Sequence, residues 1–224
     1  MYLDCFDQIP LSCNADNTSC VAIRNQKGNN ASLVTHSQVT DYVNGKYTVI
    51  KSTNLWVSTI DARGHVEHVN WVANYNAVRK AGNGAFPGYM VQEAVVWSPV
   101  WRKWFVLPRR ASPDKYDEKA DERMGTNMLL IADENFGSVE VKHIGTRIPT
   151  HGFSTAKFVP GTNDEVMVAI KSEEVETKGV DGASAKYESR QSSFITVFNW
   201  RTGEVLLDET EIPGKAKFEG IEFI

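Results

Sequence analysis

PGYMVQEAVVWSPVWRKWFVLPRRAS, residues 87–112, holds a lone acid, two apolar runs and a twin arginine. The runs EAVVW and KWFVL are rich in β-branched and aromatic residues and are separated by SPVWRK, the pattern of two antiparallel strands joined by a short connection. The stretch recurs. A second copy, PTHGFSTAKFVPGTNDEVMVAIKSE, begins at Pro149, and a shorter third, PGKAKFEGIEFI, begins at Pro213. Aligned, the copies put Glu93, Ser154 and Glu219 in register. Each is followed four residues later by an aromatic (Trp97, Phe158, Phe223), and the first two place a proline two residues beyond it (Pro99, Pro160). Self-similarity at a period of about 60 residues is the mark of a repeat architecture.

Outward from these copies the texture from Tyr47 onward is the same: YTVI, LWVSTI, MLLIA, SVEVKHI, SFITVF and EVLL are further strand candidates, spaced by turn residues. NWRTGE is expected to turn at Gly203, where positive φ costs least. In NWVANYNAVRKA, Trp71, Tyr75 and Val78 fall on one helical face, predicting a short helix. Polar insertions run over 112–127 and 173–191, the second read as a flexible hairpin tip. Residues 1–46 are polar and irregular and are left unassigned, so the domain expected is 47–224.

The fold class expected is therefore all-β and antiparallel, and a β-propeller in particular. Four-stranded blades typically take about 40–50 residues, and the two insertions account for the longer period here. The innermost strands of successive blades line a central channel, so equivalent positions form a ring. A ring of Glu93, Ser154 and Glu219 oxygens suits a hard cation. Propellers usually have four to eight blades, so about three repeats give an incomplete propeller with unclosed strand edges.

Of the 224 residues, 42% are hydrophobic and 23% charged, which fits a folded soluble protein rather than a disordered chain. A net charge of −4 gives no global basic field for nucleic acid or anionic lipid. No apolar run approaches the roughly 20 residues needed to span a bilayer, and residues 1–20 lack the basic start and apolar centre of a signal peptide. Cys5, Cys13 and Cys20 have neither CxxC spacing nor a matching histidine pair. The sequons at Asn17 and Asn30 matter only in the secretory pathway.

Glu93 lies between apolar neighbours, where an unpaired buried carboxylate is costly. An acid on a solvent-facing strand position is the simpler reading, and the register with Ser154 and Glu219 favours a metal ligand. Pro108 ends the apolar run before Arg109 and Arg110, which suit bidentate phosphate binding. A salt bridge to the acidic run DKYDEKADER is equally compatible with the pattern. His65 and His68 in HVEH lack the HExxH order. His151, close to the expected ring, suits either a site role or a structural hydrogen bond. No GxSxG, Walker A or GxGxxG element occurs.

Taken together, NWVANYNAVR, KWFVLPRRAS, DERMGTN, PTHGFSTAKFVP, VAIKSEE and KFEGIEFI resemble the calcium-activated nucleotidases, the soluble apyrase family. The likeness runs from about Trp56 or Tyr47 to the last residue. It implies a five-bladed propeller with one Ca2+ in the channel, hydrolysing nucleoside di- and triphosphates such as UDP, GDP, ADP or ATP. It places the calcium ligands on Glu93, Ser154 and Glu219, and a catalytic, substrate-binding role on Arg109, with Arg110 beside it. It also implies a secretory-pathway (Golgi or endoplasmic reticulum) or secreted setting, and it allows a homodimer. Family members carry an upstream half that residues 1–44 do not match, so a non-catalytic fragment or isoform with a partial calcium site is the rival expectation. An interaction scaffold is a third, disfavoured by the ring of oxygens.

Overall fold

The computed structural model describes residues 18–24, 32–38, 40–43, 46–49, 55–60, 65–178, 187–214 and 216–224. The chain is all-β and antiparallel, with three four-stranded sheets and a two-stranded one, none closed on itself. The first sheet consists of β1 (Thr18–Arg24), β2 (Ser32–Gln38), β5 (Leu55–Ile60) and β6 (Val66–Asn70). A hairpin of β3 (Thr40–Val43) and β4 (Lys46–Val49) is inserted between β2 and β5. This sheet spans residue 47, where the sequence reading starts its domain; β1 and β2 come from short runs, VAI and SLV, in a polar context without alternation. The second sheet is a meander of β7 (Tyr89–Ser98), β8 (Lys103–Ser112), β9 (Met128–Asp133) and β10 (Val139–His143). The third runs β11 (His151–Phe158), β12 (Val166–Lys178), β13 (Tyr187–Asn199) and β14 (Val205–Ile212).

The predicted helix forms as α1, Val72–Ala81. Asn70 Oδ1 accepts from the Val72 N–H at its start, and Tyr75 and Val78 bury its inner face. There they join Leu55, Val57, Met90, Val95 and Leu130 in a core between the first and second sheets. A second core joins the second sheet to the third: Ala94, Val96, Phe105, Leu107 and Leu129 meet Phe153, Phe158, Met167 and Phe198. Phe105, fully buried, stands edge-on to Phe158 at 5.0 Å and to Trp200 at 4.8 Å. Trp200 is itself pinned by an indole N–H bond to the Asp164 carbonyl. Burying a side chain of Phe105's size contributes about 1.5–3 kcal/mol.

The expected turns all form. Pro99–Arg102 joins β7 to β8, 160–164 joins β11 to β12, and Gly203 turns β13 into β14 with φ +78°. The 112–127 insertion contains α2, Glu118–Asp121, capped by the Asp117 carboxylate. The 173–191 insertion is largely a long β12–β13 ladder, and its expected flexible tip, 179–186, lies outside the described residues. So do Cys5, Cys13, Asn17 and Asn30. His68 is an ordinary strand histidine that pairs across the ladder with the Ser58 hydroxyl at 2.8 Å.

One expectation fails. KFEGIEFI does not form a strand. Its alternation suits one, but a strand needs a ladder partner, and none pairs with residues 216–224 among the described residues. Side chains hold it instead: Ser193 Oγ donates to the Ala216 carbonyl and accepts from the Phe218 N–H, while Ser154 Oγ donates to the Phe218 carbonyl.

Candidate functional site

β7 and β11 are edge strands of their sheets and run close to each other, and β1 also approaches β7. Both are bulged. In β7, Gln92 pairs with Pro108 and Ala94 with Leu107, leaving Glu93 as the extra residue. In β11, Phe153 pairs with Lys171 and Thr155 with Ile170, leaving Ser154 as the extra residue. The cores record the change of phase. Met90 faces the first core, whereas Ala94 and Val96, an even number of residues on, face the second. Phe153 and Ala156, three residues apart, face the same core. A bulge re-aims one side chain out of the alternation and is common beside functional sites. The repeat register of Glu93 and Ser154 thus falls on a ladder irregularity in both strands: a one-residue bulge at Ser154 and, at Glu93, a site where β7 and β8 each leave one residue unpaired.

Arg109 belongs to this device. It is skipped on β8 opposite the β7 bulge, and its side chain is only 5% exposed. Nη1 donates to Glu93 Oε2 at 2.9 Å and Nη2 to Glu174 Oε2 at 2.7 Å. Burial pulls the Arg109 pKa down, but Glu93 and Glu174 more than offset it and hold the guanidinium charged. The β11 strand comes so near that a Cβ on Gly152 would lie 2.3 Å from the Arg109 carbonyl oxygen, so only glycine fits there.

Arg110 points elsewhere. It pairs with Asp121 at 3.0 Å, the acidic-run partner that the sequence left open. That carboxylate also interacts with the Tyr89 hydroxyl, whose pKa is pushed well up by burial first and by Asp121 second. The twin arginines therefore serve two carboxylate sets.

His151 enters a buried polar network behind the bulge. Its Nδ1–H donates to Glu209, whose other oxygen accepts from Lys171 Nζ at 2.8 Å. The imidazole stacks on Phe194 at 3.9 Å. Burial pushes the Glu209 carboxyl up, and the bond from His151 together with the Lys171 ammonium more than reverses this, leaving it below the usual range. Glu174 and Glu209 carry no motif and were missed in the sequence. Their partners lie 65 and 58 residues away, on other strands.

The donors fit a hard cation in kind, since Glu93, Ser154 and Glu219 offer only oxygen. Glu93 and Ser154 each sit unpaired at a ladder irregularity. Glu219 is 67% exposed and pairs with Lys217 at 2.7 Å, yet it is near enough to raise the Arg109 pKa. Even with both carboxylates bidentate, these three side chains offer five oxygens, short of the six to eight that calcium takes. Among the described residues no three or more His, Cys, Asp or Glu side chains converge as a metal cluster.

Comparison with known proteins identifies the family. The family model for Apyrase matches residues 25–224, a span that starts upstream of the likeness read at about Tyr47. Soluble calcium-activated nucleotidase 1 of Mus musculus is 46% identical over 169 residues, covering 75% of this chain and 38% of that protein. Apyrase apy-1 of Caenorhabditis elegans is 43% identical over 75% of this chain and 44% of its own length. An apyrase of Cimex lectularius is 35% identical over 79% of this chain and 45% of its own. The chain thus spans about two fifths of the length of the curated relatives it matches. With the family model covering nearly all of its residues, the chain belongs to the apyrase family.

Proposed function

We propose that this chain carries part of the active site of a calcium-dependent nucleotidase that hydrolyses nucleoside di- and triphosphates, UDP, GDP, ADP or ATP, and releases phosphate. The observation that carries the reading is the pair of ladder irregularities that leave Glu93 and Ser154 unpaired, the first beside a buried, charged Arg109, in a member of the apyrase family. Glu93, Ser154 and Glu219 would hold the ion, with water and nucleotide oxygens completing its shell. A bound calcium ion supplies Lewis acidity to a phosphoryl oxygen.

The chain's own residues do the rest. A guanidinium has five N–H donors, and Arg109 uses one on Glu93 and one on Glu174, so three remain for phosphate. Held in a water-poor setting, it stabilises the negative charge that spreads over the transferred phosphoryl group. Arg110, committed to Asp121, orders the segment beside the site and lends it positive charge. We place these elements in a five-bladed propeller. Support comes from the three four-stranded meanders, two of whose edge strands carry a ladder irregularity at the repeat position. That no metal cluster of three or more His, Cys, Asp or Glu forms among the described residues favours one alternative, a chain that holds a partial calcium site without turnover.

The test is phosphate release from UDP, GDP and ADP with calcium, magnesium or chelator. Calcium-dependent turnover supports the nucleotidase; calcium binding by calorimetry without turnover supports the alternative. The family resemblance also leads us to propose a secretory-pathway or extracellular location and a homodimer, which sedimentation with and without calcium would test. No helix among the described residues is long and apolar enough to cross a membrane.

A further inference from the structure

Glu174 follows Glu173 on β12, and the two carboxylates diverge. Glu173 accepts from the Thr150 hydroxyl at 2.7 Å and lies 3.9 Å from His151, whereas Glu174 reaches Arg109. Its bond to Arg109, at 2.7 Å, is shorter than the 2.9 Å bond of Glu93. The two acids take different Nη atoms of one guanidinium that is 5% exposed. On its far side Glu174 lies 3.5 Å from Lys217, which in turn meets Glu219. Charge therefore alternates along a line from Glu93 through Arg109, Glu174 and Lys217 to Glu219.

A single carboxylate neutralises a guanidinium but leaves it free to turn about its Nε–Cζ bond. A second one on the other Nη fixes the plane. Glu93 alone satisfies the charge of Arg109, so charge balance does not explain the second acid.

We propose that Glu174 is a positioning residue whose carboxylate, set against that of Glu93, fixes the plane and reach of the Arg109 guanidinium toward a nucleotide phosphate. The assignment rests on the nucleotidase reading for its phosphate and on the observed contacts for its clamp. Lys217 faces the other oxygen of Glu174 at 3.5 Å, and the 34% exposure of Glu174 puts the clamp at the rim of the site. A shift of the guanidinium by about 1 Å is enough to cost up to 10²-fold in rate.

The experiment uses the full chain labelled with 15N, with and without calcium. Arginine side-chain spectra of the wild type should show slow rotation for both Arg109, held by two carboxylates, and Arg110, held by Asp121. In Glu174→Gln the Arg109 signals should collapse into fast rotation while those of Arg110 stay unchanged. With calcium and UDP, Glu174→Gln should lower kcat about tenfold with KM within about twofold. Glu174→Asp should recover part of the loss, and Arg109→Ala with Glu174→Gln should be no slower than Arg109→Ala alone. Unchanged Arg109 rotation in Glu174→Gln, or losses that add in the double variant, would overturn the assignment. A wild type without calcium-dependent turnover removes the nucleotidase reading, and the rotation measurement then decides by itself whether Glu174 holds Arg109.

Discussion

The strands that carry Glu93 and Ser154 and the segment that carries Glu219 share a sequence pattern and differ in everything that surrounds it. Glu93 and Ser154 sit in paired strands, at ladder irregularities, with residues of both cores along the Glu93 strand and of the second core along the Ser154 strand. Glu219 sits in a segment with no ladder, in a side chain 67% exposed. An alternating pattern specifies which face a residue takes, but only a neighbouring strand turns that preference into structure. The same oxygen is thus rigidly placed in two copies and loosely placed in the third. That contrast predicts where substitutions will hurt.

The largest effect is expected at Arg109. Arg109→Ala leaves the Glu93 and Glu174 carboxylates facing each other without their cation, and breaking such a buried pair typically costs about 3–5 kcal/mol. A urea titration should show the loss in stability, and phosphate release should fall by about 10²–10³ if the guanidinium meets the transition state. Stability within 1 kcal/mol of wild type would mean that the Arg109 cluster is not the rigid end of the comparison. Gly152→Ala comes next. The added methyl meets the Arg109 carbonyl, a backbone atom that cannot swing aside, and overpacking of this kind costs about 1–3 kcal/mol. Its thermal midpoint should fall, and the Arg109 spectra should shift with it, because β11 and β8 have to part.

Much of this was legible in residues. The β-branched runs gave the strands, α1 followed from Trp71, Tyr75 and Val78, and Gly203 marked its turn. The irregularity at Glu93 was not read, because only the fold shows Met90 and Val95 buried on one face where a regular strand would put them on opposite ones. What stayed hidden was pairing across sheets. Nothing in KSEE says that its last glutamate will meet Arg109 while the one before it turns to Thr150 and His151. The choice between phosphate and acid for Arg110 was likewise undecided until Asp121 was brought beside it by the fold. Ion pairs between distant segments depend on which strands become neighbours, and side-chain periodicity carries no record of that.

Smaller effects separate the second copy from the third. Ser154→Ala removes the hydroxyl that ties Phe218 to β11, and loss of one such hydrogen bond costs about 1 kcal/mol. Glu219→Gln removes only an exposed pair, so the stability change should stay within about 0.5 kcal/mol. Calcium titration should nonetheless weaken in both if both oxygens bind the ion. A Glu219→Gln chain that binds calcium like the wild type would remove Glu219 from the ligand set and leave the two bulged copies alone.

The smallest effect lies behind the second copy, in the acid response of Glu209. Its carboxyl is held below the ordinary glutamate value by His151 and Lys171 against the opposing effect of burial. A group whose pKa is lower folded than unfolded binds fewer protons in the native state, so it adds stability above the unfolded value of about 4.3 and loses it as the pH falls through the folded value. Carbon-detected NMR should therefore place the Glu209 midpoint below that of an unstructured glutamate, and urea midpoints should decline through the same range as acid is added. A Glu209 midpoint at or above 4.3 would mean that burial outweighs the two cations. His151 and Lys171 would then add no net stabilisation to the Glu209 carboxylate, and the second copy would owe its rigidity to the bulge and the aromatic packing alone.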